Sequence, residues 1–148
     1  MLDRVLLPLL ADAAADVARP RLLLAGYSAG SLAASSCKRP HSPPALQTHH
    51  LLVSYPLSVL WALTLGRSPT IHRALRDLVD DPASDVLAIF GDADQFSGVG
   101  PLRKWRDGLV AAGSGRFKGV EVEGADHFWR GEGLDELVRE VRDWLGID

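Results

Sequence analysis

Apolar residues recur along the chain in two kinds of run, and their alternation predicts the fold class. Over residues 2–17, Leu2, Val5, Leu6, Leu9, Leu10, Ala13 and Val17 fall at steps of mostly three and four, one face of an amphipathic helix. Pro8 starts or kinks that helix, and Arg19-Pro20 ends it. Residues 21–25, Arg-Leu-Leu-Leu-Ala, make a short apolar run that enters a glycine, which suits a buried parallel strand. A small-residue segment, Ala29 to Ser36, predicts a helix. Residues 38–48 carry three prolines and read as loop. Leu51 to Tyr55 predicts a second strand, stopped by Pro56. Ser68-Pro69 is a helix start, continued by Ile71, Leu75, Leu78 and Val79. Val86 to Phe90 is the clearest strand and ends at Gly91. Pro101 opens another helix with Leu102, Trp105 and Leu109 on one face. Phe117 to Val122 predicts a fourth strand, and Leu134, Leu137, Val138, Val141 and Leu145 a last helix. The order is a helix, then strand and helix four times over, without an internal repeat. Apolar strands alternating with helices imply an α/β fold whose parallel sheet is covered on both faces. In such sheets a site lies at the carboxyl ends of the strands.

Composition narrows the class. The chain has 148 residues, a length that suits one domain able to bury roughly two thirds of its unfolded surface. With 47% apolar and 24% charged residues, general disorder is excluded. Sixteen basic against nineteen acidic residues give a net charge of −3, and no run of Lys and Arg forms a stripe, which argues against nucleic acid as a partner. The single cysteine, Cys37, excludes an internal disulfide framework and a zinc site built on several thiolates; it is expected buried or half-buried. Asp12 interrupts the N-terminal apolar stretch far short of a membrane span. Met1 to Arg4 has no net positive side-chain charge, and Val5 to Ala11 contains Pro8, unlike a signal peptide. The chain reads as soluble and cytoplasmic.

The chemistry concentrates at three glycine-rich turns. Gly26-Tyr27-Ser28-Ala29-Gly30 fits G-x-S-x-G and sits between a predicted strand and a predicted helix. A serine there stands clear of the sheet on strained backbone. Glycines two before and two after let strand and helix pass closely, and the Ala29 N–H points at a developing oxyanion. A serine nucleophile needs a base and an orienting acid. Gly91-Asp92-Ala93-Asp94 follows the third strand and Gly124-Ala125-Asp126-His127-Phe128 the fourth, in the chain order Ser, Asp, His. Asp94 is the expected acid, with Asp92 the alternative. Asp126, adjacent to His127, is read as a solvated or loop-capping residue. Tyr27, Phe128 and Trp129 are candidates to line a substrate, against the commoner role of buried aromatic area. Trp61 is expected in the core. His49 and His50 suggest metal but lack a nearby carboxylate or thiol, so they are expected in solvent, as is His72. No Gly-Lys-Ser/Thr and no G-x-G-x-x-G is present, so the Gly26–Gly30 turn is not a phosphate loop.

With these motifs the chain resembles the C-terminal half of an α/β-hydrolase, and is similar to dienelactone-hydrolase-like and small predicted alpha/beta hydrolase proteins. Those families carry a G-x-S-x-G elbow, a G-x-x-D loop and a G-x-x-H-F loop, here Gly26–Gly30, Gly91–Asp94 and Gly124–Phe128. Dienelactone hydrolase itself is less similar, its nucleophile being a cysteine. The resemblance implies Ser28 as nucleophile, Asp94 as acid and His127 as base of a serine hydrolase cleaving a carboxylic ester or thioester, with no cofactor. It also implies a single truncated domain over residues 1–148: about four strands, lacking the first four and the loop that supplies a second oxyanion N–H. Leu22–Leu24 would then be an open edge. The alternative is a catalytically silent half-domain that pairs through that edge with itself or with a partner chain.

Overall fold

The computed structural model describes residues 21–37, 47–113 and 116–147. The first strand, β1 (Arg21–Tyr27), leads into α1 (Ala29–Ser36). β2 (Gln47–Val53) is followed by a 3-10 turn, a short α2 (Leu60–Leu63) and α3 (Ser68–Asp80). β3 (Ser84–Gly91), α4 (Val99–Ala112), β4 (Phe117–Val122) and α5 (Glu132–Leu145) complete the order. The four strands form one parallel sheet in the order β1-β2-β3-β4. The helix expected over residues 2–17 lies outside the described residues. Among the described residues no helix is long and apolar enough to cross a membrane.

A parallel strand in the middle of a sheet has both faces covered, so apolar residues are needed at both parities. β2 and β3 meet this need. Leu51, Val53, Leu87 and Ile89 pack on one face against Leu137, Val141 and Leu145 of α5. Leu52, Val86 and Ala88 pack on the other against α1, α3 and α4, through Leu32, Leu75, Val79 and Leu109. β1 pairs with β2 alone among the described residues, as the open edge at Leu22–Leu24 required. α5 carries Glu132 and Asp135 in its first turn and Arg142 in its last, matching the helix dipole, and Gly146 closes it in the left-handed conformation (φ 67°).

Two glycines set how closely the elements approach. A Cβ at Gly26 would stand 2.2 Å from the carbonyl oxygen of Gly30, and one at Gly91 would stand 1.9 Å from that of Ala125. A Cβ at Gly30 meets nothing within 4 Å. Only the glycine before Ser28 therefore bears the steric demand expected of both.

Four expectations are corrected. Gln47 and Thr48 belong to β2 and not to the loop, because the register pairs Gln47 with Arg21 and Thr48 with both Leu22 and Ser84. His49 and His50 are buried, not in solvent. They sit on a strand flanked on both sides, where position and not polarity decides exposure. The imidazole of His49 lies edge-on to Trp144, and His50 Nδ1 bonds to the carbonyl of Ala34 at 2.8 Å. Cys37 is exposed at the end of α1. Trp61 is 70% exposed, since the short α2 turns it away from the sheet.

The two glycines separate in mutagenesis. Gly91→Ala forces a Cβ into backbone that cannot yield and is expected to lower unfolding free energy by about 3 kcal/mol. Gly30→Ala, in open space on a helix, is expected to match wild type or exceed it by up to about 1 kcal/mol. Denaturant melts of both variants check this. Burial also holds the His50 pKa below its ordinary value. The unfolded chain then takes up a proton near pH 6.5 that the folded chain refuses, so stability is lost as pH falls below about 6.5 toward the folded pKa. The drop in melting temperature between pH 7.5 and pH 5.5 is expected to be smaller in His50→Asn than in wild type; equal drops would contradict the assignment.

Candidate active site

Ser28 follows β1 directly and has φ 52° and ψ −123°. A positive φ in a non-glycine residue costs on the order of 1–3 kcal/mol and persists where surroundings over-determine it. Here they do. The Ser28 N–H donates to the Val53 carbonyl at 2.9 Å, extending the β1–β2 ladder by one rung. Its own carbonyl accepts from the Ser31 N–H at 2.9 Å and the Ser31 hydroxyl at 2.6 Å, which starts α1. Ala29 is the first residue of α1, so its N–H has no acceptor within the helix.

Asp94 lies in the loop after β3 with its side chain 1% exposed. Its Oδ1 accepts from the N–H groups of Phe96, at 2.8 Å, and Ser97, at 3.1 Å. The Ser97 hydroxyl ties the same loop to the Tyr55 carbonyl at 3.2 Å. Oδ2 is thereby left facing His127 Nδ1 at 2.7 Å.

His127 lies in the loop after β4 and is also buried. Its backbone is held at both ends: its N–H donates to Gln95 Oε1 at 3.2 Å, and its carbonyl accepts from the Tyr27 hydroxyl at 2.8 Å. Nε2 stands 3.1 Å from Ser28 Oγ. Because Nδ1 faces a carboxylate it carries the proton, and Nε2 presents its lone pair to the serine hydroxyl. Three side chains from three different strand ends are thus joined in one hydrogen-bonded series.

The neighbouring candidates separate cleanly. Asp92 does not reach His127; its Oδ1 accepts from the Gly124 N–H at 2.7 Å and braces one loop against the other. Asp126 Oδ1 caps its own turn through the Phe128 N–H at 3.0 Å. Tyr27, expected at a substrate, packs at 5.3 Å between ring centroids from His127, and its hydroxyl pKa is raised by burial and then by the nearby Asp94 and Asp126 carboxylates. Phe128 is exposed beside His127. Trp129 is a correction: it has no exposed surface and no face for a ligand. The chain turns inward at its positive φ of 51°, and the indole N–H donates to Ser54 Oγ at 2.8 Å within the core. Gln95 and Phe96 carry no periodicity or motif in the sequence; only the approach of two loops reveals them. Among the described residues no group of three or more His, Cys, Asp or Glu is arranged to hold a metal. A cleft of about 300 Å³ between α3 and α4, lined by His72, Arg76, Lys104 and Trp105 among others, includes none of the three joined residues.

No protein-family model matches the chain, and no curated protein matches it in sequence. Solved structures do. Esterase 2 of Thermogutta terrifontis, phosphoramylated by tabun, superposes with a TM-score of 0.55 at 17% identity, over 84% of this chain and 53% of the esterase. Acyl-protein thioesterase 2 of Zea mays gives 0.49 at 16% identity, over 98% of this chain and 65% of that one. An alpha-beta serine hydrolase homologue from Coxiella burnetii gives 0.44 at 21% identity, over 83% and 46%. The chain spans from about half to two thirds of the length of these proteins. Among the described residues it has a partial α/β-hydrolase fold, with four parallel strands and helices on both faces.

Proposed function

We propose that the chain is a serine hydrolase that cleaves a carboxylic ester or thioester through Ser28, His127 and Asp94. The observation that carries the reading is the series Ser28 Oγ, His127 Nε2, His127 Nδ1, Asp94 Oδ2, with separations of 3.1 and 2.7 Å across its two hydrogen bonds. Such a series serves a definite reaction. Ser28 Oγ forms a bond to the acyl carbon while its proton passes to His127 Nε2. The bond to the leaving alcohol or thiol then breaks, and Nε2 returns the proton to it. Water attacks the acyl-serine by the same route in reverse, giving a carboxylic acid and free Ser28. Asp94 keeps the proton on Nδ1 and stabilises the imidazolium. The Ala29 N–H, at the positive end of α1, donates to the oxyanion in this reading. No cofactor enters these steps.

A fluorophosphonate probe, which reacts strongly only with an activated serine, tests the reading. Intact mass and peptide mapping are expected to find one adduct on Ser28. Ser28→Ala is expected to abolish both the adduct and esterase activity, and Asp94→Asn to slow turnover roughly a thousandfold or more, because Nδ1 then meets an amide in place of a carboxylate. An unlabelled but folded protein would overturn the proposal.

A second reading draws on one observation, the unpaired edge of β1 among the described residues. An apolar edge strand invites another strand. On this reading the chain is a silent half-domain that pairs there with itself or with a partner chain. Light scattering on the purified chain is expected to show a dimer if it pairs with itself, and the introduced edge charge in Ala25→Lys is expected to dissociate it. A monomer at high concentration would exclude self-pairing.

A further inference from the structure

Three aromatic rings wall in His127. Tyr27 is held by its hydroxyl and half-buried. The other two, Phe96 and Phe128, are 47% and 44% exposed. Phe96 meets the imidazole edge-to-face with centroids 4.6 Å apart, Phe128 does so at 5.8 Å, and the two phenyl rings meet each other edge-to-face at 6.3 Å. They come from different loops, one after β3 and one after β4. Each has a restraining neighbour. The Phe96 backbone is anchored by its N–H on Asp94 Oδ1, and the Arg130 guanidinium lies 5.1 Å from the Phe128 centroid, itself 3.8 Å from Asp126.

Chemistry says what such a corner touches. In acyl transfer the proton on His127 Nε2 is delivered to the leaving oxygen or sulfur, so the leaving group lies beside the imidazole and against whatever flanks it. The Tyr27 hydroxyl is already engaged, and the two exposed flanking rings are phenyls that offer apolar area and no hydrogen-bonding group. A charged or strongly polar leaving group would lose water there, and neither phenyl ring offers a hydrogen bond to replace it. An aromatic or bulky apolar one would cover exposed ring area and gain edge-to-face contacts.

We propose that Phe96 and Phe128 form the leaving-group subsite, and that the preferred substrate carries an apolar, aromatic-sized alcohol or thiol. This rests on the reading of Ser28, His127 and Asp94 given above. Phe96 is a specificity residue outside every motif of the sequence, and its subsite is independent of the acyl portion of the substrate.

Two matched ester pairs test it: benzyl acetate against methyl acetate, which changes only the alcohol, and methyl butyrate against methyl acetate, which changes only the acyl group. Phe96→Ala and Phe128→Ala are each expected to lower the benzyl-to-methyl ratio of kcat/KM roughly three- to tenfold, the size of an aromatic contact, and to leave the butyrate-to-acetate ratio in place. Phe96→Leu and Phe128→Leu, which keep apolar area without the ring, are expected to give smaller shifts and carry the test where an alanine variant does not fold. An unchanged alcohol ratio in folded variants, or a shift in the acyl ratio instead, overturns this inference while Ser28 still takes the fluorophosphonate. No turnover of either pair together with no adduct on Ser28 overturns the underlying hydrolase reading, and the subsite with it.

Discussion

The hydrogen-bonded register of the parallel sheet is the constraint on which the site depends. Tyr27, Val53, Ile89 and Val120 lie in one row across the four strands. The strands run the same way, so the chain leaves all of them on the same side. The ladder even outlasts the strands: Ser28 donates to Val53, Ser54 to Ile89 and Asp92 to Val122. Each donor is the first residue after its strand, so the loops that carry Ser28, Asp94 and His127 begin from a shared, rigid platform. Parallel strands require helical crossovers between them, which is why residues so distant in sequence converge here.

Two of the four non-glycine residues with positive φ among the described residues directly follow a strand, a third lies in the loop after β4, and the fourth, Leu65, follows α2. Ser28 and Ser54, each following a strand, both hold positive φ, as does Trp129. Ser54 and Trp129 are joined by the indole N–H on the serine hydroxyl at 2.8 Å, beneath the loop that carries His127. At Ser28, Ser54 and Trp129, hydrogen bonds and packing hold the backbone in this costly conformation. The sheet supplies the first through its extra rungs, and the core cluster around Leu51, Ile89 and Trp129 supplies the second.

The loops add closeness. Gly91 lets the β3 loop press on the Ala125 backbone, and the Ala93 N–H donates to the Ala125 carbonyl at 3.2 Å. Asp92 on the Gly124 N–H and Gln95 on the His127 N–H fasten the same pair of loops. The Asp94 to His127 hydrogen bond is therefore one of several between these loops. Around it the rings of Tyr27, Phe96 and Phe128 flank the buried imidazole, and charge interactions strengthen away from bulk water.

Local pattern by itself determined most of the elements and the turns that hold the candidate site residues. The apolar runs at Val86–Phe90 and Phe117–Val122, the small-residue helix Ala29–Ser36 and the glycine turns after three strands were legible because strand burial, helix periodicity and turn conformation are short-range demands that a few neighbouring residues must meet. The order Ser28, Asp94, His127 was legible for the same reason. Exposure was not. His49 and His50 are buried because β2 lies between two strands, and Trp129 is buried because its backbone turns inward onto Ser54, whereas Trp61 is left in solvent by a short helix. That Asp94 bonds to His127 while Asp92 braces Gly124, and that Gln95 and Phe96 lie beside His127, was visible only in three dimensions. Each depends on how one loop meets another across the sheet, and such contacts between distant residues leave no periodicity in the chain.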